Sequence, residues 1–344
     1  MKDLKYLGAY LVPAFCVSGL LLGGWASIST IVFVFVFVPI IEPLLGRSEH
    51  NMVEPNRTVA LNKKLFDWLL YLNIPIVYGI LLLFIWVLNQ QSLSNLEYTG
   101  HIISVGLVLG ACGINVGHEL GHRQKKSEQT LAKILLIPSW YMHFFIEHNR
   151  GHHKNIATDL DPASAKKGEN VYAFWLRSVY SSYLSAWRLE RKRLKRMDIP
   201  FLSMENEMLV FSLIQLLYFS LISFLVNSWW SLFAVVLAGI VGFLLLETIN
   251  YIELFKMRRK LLPYGRYERV HSKHSWNADY QVGRILLYEL TRHSDHHFIA
   301  TKKYQVLDHH DQAPELPVGY PTSMLMALVP PLWFRVMDKR IPEA

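Results

Sequence analysis

Six long apolar runs constrain the fold of this 344-residue chain more than any other feature of its sequence. A helix needs about 20 mostly apolar residues to cross the hydrocarbon core of a bilayer. Hydrophobic residues make up 52% of the chain, which is more typical of a membrane protein than of a soluble enzyme. We therefore predict an all-α, integral membrane bundle of about six transmembrane helices, at residues 6–23, 28–45, 66–88, 101–117, 208–226 and 231–249.

The distribution of basic residues predicts how this bundle is oriented. The loops at 23–27, 89–100 and 227–230 contain no Lys or Arg, so all 35 basic residues lie on the other side. By the positive-inside rule, that side is the cytoplasm. Both termini and a cap formed by residues 118–207 and 250–344 are therefore expected there, with the bundle in the inner membrane. The net charge of +8 marks this topology and does not indicate a nucleic-acid partner.

The rest of the chain predicts a single domain over residues 1–344, because no internal repeat, low-complexity tract or linker interrupts it. The first apolar run lacks a small-residue cleavage site and is followed at once by a second run, so it is not expected to be a signal peptide. Cys16 and Cys112 each lie in an apolar run. They predict neither a disulfide framework nor a cysteine metal site.

A basic cluster between the fourth and fifth runs predicts a contact with the membrane surface. Trp175, Tyr183 and Trp187 precede it, and together these residues are typical of a helix that lies on anionic lipid headgroups. A solvated basic face is the alternative. The cluster comprises Arg188, Arg191, Lys192, Arg193, Lys195 and Arg196.

Histidine is the residue type that indicates chemistry. Eight of the fifteen histidines form three clusters where the predicted helices enter the cytoplasm. A spacing of four places two imidazoles on one helical face, whereas adjacent residues diverge by about 100°, so that an adjacent pair can serve two metal ions. The clusters are His118 and His122; His148, His152 and His153; and His293, His296 and His297.

Eight imidazoles are too many for one metal ion, since a zinc site uses at most four protein ligands. Two ions with about four imidazoles each fit the number better. Imidazole binds zinc, copper, nickel and iron, so the ligand type alone leaves the metal open.

In this order, the clusters resemble the three histidine boxes of membrane-bound hydroxylases and desaturases. Fatty-acid desaturases typically have two residues between the first histidine of the second box and the following pair, whereas three residues separate His148 from His152 and His153. This spacing is similar to that of the alkane 1-monooxygenase family, whose relatives include the xylene monooxygenase hydroxylase component. Further similar segments are 118–123, 161–164, 266–270, 274–277 and 290–297.

The resemblance implies a fatty-acid desaturase/hydroxylase-like fold and a non-haem di-iron centre held by the eight clustered histidines. It implies a monooxygenase that hydroxylates the terminal carbon of alkanes or similar apolar chains with O2. The alternatives are a xylene-type side-chain hydroxylase and a fatty-acyl lipid desaturase or hydroxylase. Product analysis separates these three activities.

The same resemblance implies separate electron-transfer partners, namely rubredoxin and its NAD(P)H-dependent reductase. The sequence itself has neither a dinucleotide-binding glycine fingerprint nor a cysteine-ligated iron site. Rubredoxins are generally acidic, so a basic cytoplasmic surface is expected to steer one to the enzyme.

One position departs from the family pattern. After Asn250-Tyr-Ile-Glu253 the family continues with His-Tyr-Gly, and that histidine is a ninth iron ligand; this chain has Leu254-Phe255-Lys256. The family order implies that residue 254 points its side chain at the metal pair. Leucine cannot bind iron, so one ion is expected to have lost a ligand, gained a water, or recruited a neighbour such as Glu253 or His271. An impaired paralogue without catalysis is a further alternative.

Several groups are expected beside the metal ligands. Glu119 and Asp295 are candidates to accept the free N–H of a metal-binding imidazole. Asp159 and Asp161 could do the same, although solvation at the surface is the simpler explanation for them. The remaining histidines near the site are expected to be structural: His101, His143, His274, His309 and His310.

Overall fold

The computed structural model describes residues 2–90 and 92–341. Residues 1, 91 and 342–344, which the predicted domain 1–344, loop 89–100 and cap 250–344 include, lie outside the described residues. The described part is helical, with isolated β-bridges and no extended strand. This confirms the predicted all-α class.

Within the described residues, six helices are long and apolar enough to cross a membrane, which confirms the predicted number. The fourth and sixth helices continue past their predicted ends at residues 117 and 249. Their last turns are buried by the cap, so the helix does not end where the membrane-spanning segment does. The helices are α1 (Asp3–Leu22), α2 (Gly24–Leu45), α3 (Lys64–Gln90), α4 (Asn95–Gly121), α5 (Glu207–Leu225) and α6 (Trp229–Glu253).

Burial shows which of these helices is central. The most apolar stretch of α4 is 89% buried inside the protein, against 22% for α2 and for α5. Exposed Leu, Val and Phe side chains cover α2 and α5, as expected for surfaces that face lipid. Trp25, Trp229 and Trp230 are exposed at the end of the bundle that lacks basic residues, where aromatic residues commonly meet the membrane interface.

Helices α4 and α6 run in the same direction and cross at very close range. A Cβ atom on Gly106 would lie 2.5 Å from Cβ of Val241, and one on Gly242 would lie 3.0 Å from Cβ of Leu109. Small residues permit such close packing between membrane helices. Both helices then continue for twelve residues, to His118 and Glu253. The crossing therefore sets the distance between these two side chains.

The cap covers the basic end of the bundle with short helices and one long helix. A second apolar cluster, which includes Tyr251, Phe255, Trp276 and Trp333, lies beneath it. The long helix Val171–Arg196 begins where the Asn170 side chain accepts the N–H of Ala173 at 3.0 Å, which satisfies a free amide of the first turn. The other cap helices are Asn56–Asn62, Lys126–Leu136, Phe144–Glu147, His153–Asn155, Gln281–Leu286, His293–Phe298, Tyr320–Ala327 and Pro330–Met337.

Candidate metal centre

The eight clustered histidines converge between the cytoplasmic ends of α4 and α6 and the cap. His118 lies in the last turn of α4 and His122 directly follows that helix. The second cluster lies on a π-helical turn, His148–His152, and the third on the short helix His293–Phe298. Six of the eight side chains are buried, and His122 and His153 are partly exposed.

Five imidazoles form a first group. One nitrogen from each of them lies within 4.8 Å of all the others. The Nε2 atom of His148 lies 3.0 Å from Nε2 of His122 and 2.9 Å from Nε2 of His153. The Nε2 atoms of His122 and His153 are 3.2 Å apart. The group consists of His118, His122, His148, His153 and His296.

The π-helical turn explains why His148 pairs with His153. The expected partner of His148 on one helical face is His152, four residues on. In a π-turn the backbone hydrogen bonds join residues five apart instead of four. The side chains of residues i and i+5 then lie on the same face of the helix. His152 consequently faces away from the first group.

His152 joins a second group. Its Nε2 atom lies 3.1 Å from Nε2 of His297, and the rings of His293 and His297 have centroids 3.9 Å apart. The chain of contacts ends at Glu253, whose Oε2 atom lies 2.9 Å from Nε2 of His293. The adjacent histidines 152 and 153, like 296 and 297, therefore belong to different groups.

The donor atoms of the first group converge as metal ligands do, whereas those of the second group are joined pair by pair. Nε2 of His118, Nε2 of His296 and Oε2 of Glu253 are buried without a hydrogen-bond partner, which is costly for polar atoms unless a ligand binds there. Nitrogens about 2.1 Å from a metal are about 3.0 Å apart at an octahedral edge and about 3.4 Å apart in a tetrahedron. The observed 2.9 to 3.2 Å between imidazoles of the first group fits the octahedral edge.

Electrostatics keep the imidazoles in the form that binds metal. Burial, together with the neighbouring imidazoles, lowers the pKa of His122 to about 3 and lowers the pKa values of His148, His153, His296 and His297 well below the usual range. A neutral imidazole has a free nitrogen lone pair for a metal.

His152 differs because a carboxylate contacts its second ring nitrogen. Burial disfavours protonation, but Asp161 outweighs it and raises the pKa of His152 above its usual value. The Nδ1 atom lies 3.0 Å from Oδ1 and 3.1 Å from Oδ2 of Asp161. Ser164 fixes the carboxylate by donating its hydroxyl at 2.6 Å. Asp159 is exposed and lies near Arg258.

Glu119 and Asp295 have other partners than the expected imidazoles. Glu119 Oε1 lies 2.8 Å from Nη2 of Arg123 and accepts the N–H of Tyr304. Asp295 contacts Lys302, the N–H of Asp308 and His310. In the described part of the chain, neither carboxylate thus contacts one of the eight clustered imidazoles, because a cation and a backbone amide bind each of them.

The expectation that residue 254 points at the metal pair does not agree with the structure. Leu254 is fully buried in the apolar cluster beneath the cap. His271 is exposed, and its ring packs 5.4 Å from that of Phe298. Of the two expected substitutes, Glu253 alone contacts a clustered histidine in the described residues.

The five histidines that were expected to be structural lie outside both groups. His101 is buried within α4 and His143 packs against Tyr141 at 4.4 Å. Three others pair with carboxylates: His274 with Glu268, His309 with Asp279 and His310 with Asp295. Asp279, His309 and Glu315 also lie close together, but Arg292 already bonds Asp279 at 2.8 Å.

Two buried groups beside the site were missed from the sequence. Tyr320 donates its hydroxyl to Oε1 of Glu253 at 2.5 Å, and Tyr141 donates to Oε1 of Glu247 at 2.7 Å. Glu247 had a recognisable signal, because an ionisable residue within a membrane-spanning run usually has a function. Tyr320 had none, since 67 residues separate it from Glu253.

Two spaces border the histidines, one small and one larger. A void of about 10 Å³ at the ends of α4 and α6 borders His118 and His293, and its apolar walls are Phe144, Leu246, Ile249 and Leu290. On the cap side, a cleft of about 600 Å³ reaches His122. Its basic wall consists of Arg57, Arg123, Lys125, Lys302 and Lys303.

Comparison with known proteins agrees with this arrangement. The family model described as fatty acid desaturase matches residues 94–323. Alkane 1-monooxygenase 2 of Pseudomonas aeruginosa is 36% identical, over 99% of this chain and 93% of the relative. Alkane 1-monooxygenase 1 of Alcanivorax borkumensis is also 36% identical, over 97% and 83%. The xylene/toluene monooxygenase hydroxylase component XylM of Pseudomonas putida is 27% identical over 78% and 72%.

Proposed function

The chain belongs to the alkane 1-monooxygenase family of membrane-bound, fatty acid desaturase-like enzymes, and we propose that it hydroxylates the terminal carbon of alkanes or similar apolar chains. One observation carries this proposal. Buried imidazoles from all three histidine clusters meet at the ends of two membrane helices, beside a small void with apolar walls.

The proposed cofactor is a pair of iron ions bound by the eight clustered histidines. When bound, the ions supply the redox chemistry that places one atom of O2 in a carbon–hydrogen bond and reduces the other to water. The reaction also consumes two electrons and two protons. Asp161 holds the His152 ring by its Nδ1–H, which leaves Nε2 free for a metal.

The apolar walls of this void would contact the reacting end of the substrate. Phe144, Leu246 and Ile249 offer contacts to a hydrocarbon and exclude water. The void of about 10 Å³ must widen to admit a hydrocarbon chain. A chain end has the smallest cross-section of an alkane and requires the least widening, which favours the terminal carbon.

The electrons are proposed to come from rubredoxin, reduced in turn by an NAD(P)H-dependent reductase. The basic cleft next to His122 supports this proposal, because five cationic side chains line it and rubredoxins are generally acidic. Opposite charges speed the encounter of two proteins and orient them.

The proposed location is the inner membrane, with both termini and the cap on the cytoplasmic side and residues 1–344 forming one domain. The three loops without Lys or Arg support this orientation. The basic cleft is then accessible to a cytoplasmic donor.

Product analysis tests the function. Membranes that contain the protein, supplied with rubredoxin, its reductase and NADH, are expected to convert octane to 1-octanol. Membranes with the His296→Ala variant serve as the control and should give no product. Xylene and an acyl lipid are offered in parallel; preferential oxidation of either in place of octane would contradict the proposed substrate class.

A further inference from the structure

Glu253 is placed where a donor is missing. The first group has five imidazoles, whereas the second has three: His152, His293 and His297. The side chain of Glu253 is fully buried, and its Oε2 atom lies 2.9 Å from Nε2 of His293. This contact does not have the geometry of a hydrogen bond, so a buried carboxylate oxygen and an imidazole nitrogen face each other at 2.9 Å, as two ligands of one ion would.

The remainder of Glu253 is held firmly. Tyr320 donates its hydroxyl to Oε1 at 2.5 Å, and the backbone oxygen of Glu253 accepts the N–H of Trp276 at 2.8 Å. The carboxylate therefore cannot turn Oε2 away without losing the bond from Tyr320. A buried charge is strongly unfavourable unless it is paired, and a metal cation between Oε2 of Glu253 and Nε2 of His293 would supply that pairing.

The neighbouring residue cannot take this role. Helix α6 ends at Glu253, and Leu254, which follows it, is packed among Tyr251, Phe255 and Trp333 in the apolar cluster. Consecutive side chains at a helix end point in different directions. In this chain, position 253 faces the histidines and position 254 faces the apolar cluster.

We propose that Glu253 binds the second metal ion through Oε2, so that the centre holds eight imidazoles and one carboxylate. Tyr320 is the positioning residue that orients this carboxylate. The inference rests on the proposed metal centre and goes beyond it by naming a ninth, anionic donor. The negative charge should favour the oxidised state of the ion that it contacts.

Metal content and Mössbauer spectra of the full-length protein loaded with 57Fe test the proposal. The wild type is expected to hold about two irons in two environments. Glu253→Gln keeps the shape of the side chain but removes its charge, and is expected to lose iron to a chelator at least about tenfold more readily, from one environment only. Tyr320→Phe should change the spectrum of that same environment and leave the other unchanged.

Glu247→Gln is the matched control, because Glu247 is a second buried glutamate on α6, but its partner is Tyr141. It should retain both irons. Glu253→His restores a donor and should keep both irons with an altered spectrum, so it covers the case in which Glu253→Gln does not fold. Leu254→His should not raise iron affinity, since its imidazole would enter the apolar cluster.

The outcomes separate the two proposals. A wild-type protein that binds no iron would overturn the proposed metal centre and, with it, the role of Glu253. Two irons retained by Glu253→Gln with an unchanged spectrum would overturn the role of Glu253 alone. A wild-type chain that holds one iron, with the same iron content in Glu253→Gln, would also overturn the role of Glu253 alone.

Discussion

At the residue scale, Asp161 is the contact that most clearly supports a metal-binding imidazole. It contacts Nδ1 of His152 with both carboxylate oxygens and is itself fixed by Ser164. An acceptor in this position selects the tautomer with a free Nε2 and makes that nitrogen a stronger donor.

Asp161→Asn is therefore expected to weaken metal binding without unfolding the chain. Loss of such a supporting contact typically costs about 10- to 100-fold in metal affinity. The measurement is iron release to a competing chelator, followed spectroscopically. Asp159→Asn is the control, because Asp159 is exposed and remote from the imidazoles. Equal release from both variants would show that Asp161 does not support the site.

The residues that form the site were predictable from the sequence where their spacing alone identifies them. The eight histidines, in boxes with fixed spacing, were identified and are brought together in space. Partners of single carboxylates were not predictable, because they depend on competing groups. Lys302 and the amide of Asp308 bind Asp295, although its sequence position suggested an imidazole.

At the element scale, the crossing of α4 and α6 couples membrane packing to the site. Gly106 allows the two helices to approach, and His118 and Glu253 lie twelve residues beyond the crossing on each helix. On α6, twelve residues of α-helix span about 18 Å, and on α4 the corresponding twelve residues include the π-helical segment Leu109–Ile114. A small change at the crossing is therefore transmitted to the spacing of the metal-binding side chains.

Gly106→Ala should destabilise the protein, because its Cβ would lie 2.5 Å from Cβ of Val241, a stiff β-branched side chain. Overpacking of this kind costs about 1 to 3 kcal/mol. Thermal unfolding in detergent measures it, together with iron retention. Gly79→Ala is the control, since nothing lies within 4 Å of its Cβ position. A Gly106→Ala protein as stable as Gly79→Ala would contradict the close crossing.

The long cap helix Val171–Arg196 is the element whose sequence predicts contact with lipid. Its exposed face begins with Tyr172, Leu176 and Tyr180 and continues with Arg188, Arg191, Lys192, Lys195 and Arg196. Arg193 does not belong to this face, because it pairs with Glu190 at 2.7 Å. An apolar half followed by a cationic half suits a helix at an anionic membrane surface.

A single-cysteine label distinguishes this arrangement from a solvated basic face. A fluorophore on Leu176→Cys should be quenched by brominated lipids, because the side chain is predicted to enter the interface. Lys167→Cys provides an exposed control just before the helix and should remain unquenched. Cys16 and Cys112 are buried and are not expected to react. Equal quenching at both positions, or none, would contradict the prediction.

The helical elements themselves were largely predictable, because apolar runs of sufficient length have few alternatives in a membrane. Their ends were less so: α4 and α6 continue to Gly121 and Glu253 because the cap buries them. The π-turn at His148–His152 was not predictable from a spacing of four. Because of this π-turn, His148 pairs with His153. The periodicity of an α-helix alone would have paired it with His152.

At the scale of the whole molecule, the arrangement separates hydrocarbon from charge. The void with apolar walls lies at the ends of membrane helices, whereas the basic cleft opens in the cap, and histidines of the site border both. An apolar substrate that enters from the membrane and a charged protein donor would thus reach the same centre without competing for one surface. This division requires that the basic end of the bundle faces the compartment that holds the electron donor.

Labelling of intact cells tests that orientation. A membrane-impermeant maleimide should react with Ser92→Cys, in the loop between α3 and α4 that lacks Lys and Arg, and should not react with Lys167→Cys until the cells are permeabilised. Both positions are exposed, so permeabilised cells should label equally at the two sites and provide the control. The physical reason is that segments rich in Lys and Arg are retained in the cytoplasm during insertion. Labelling of Lys167→Cys but not of Ser92→Cys in intact cells would place the basic cleft outside the cytoplasm, and a cytoplasmic rubredoxin would then have no route to His122.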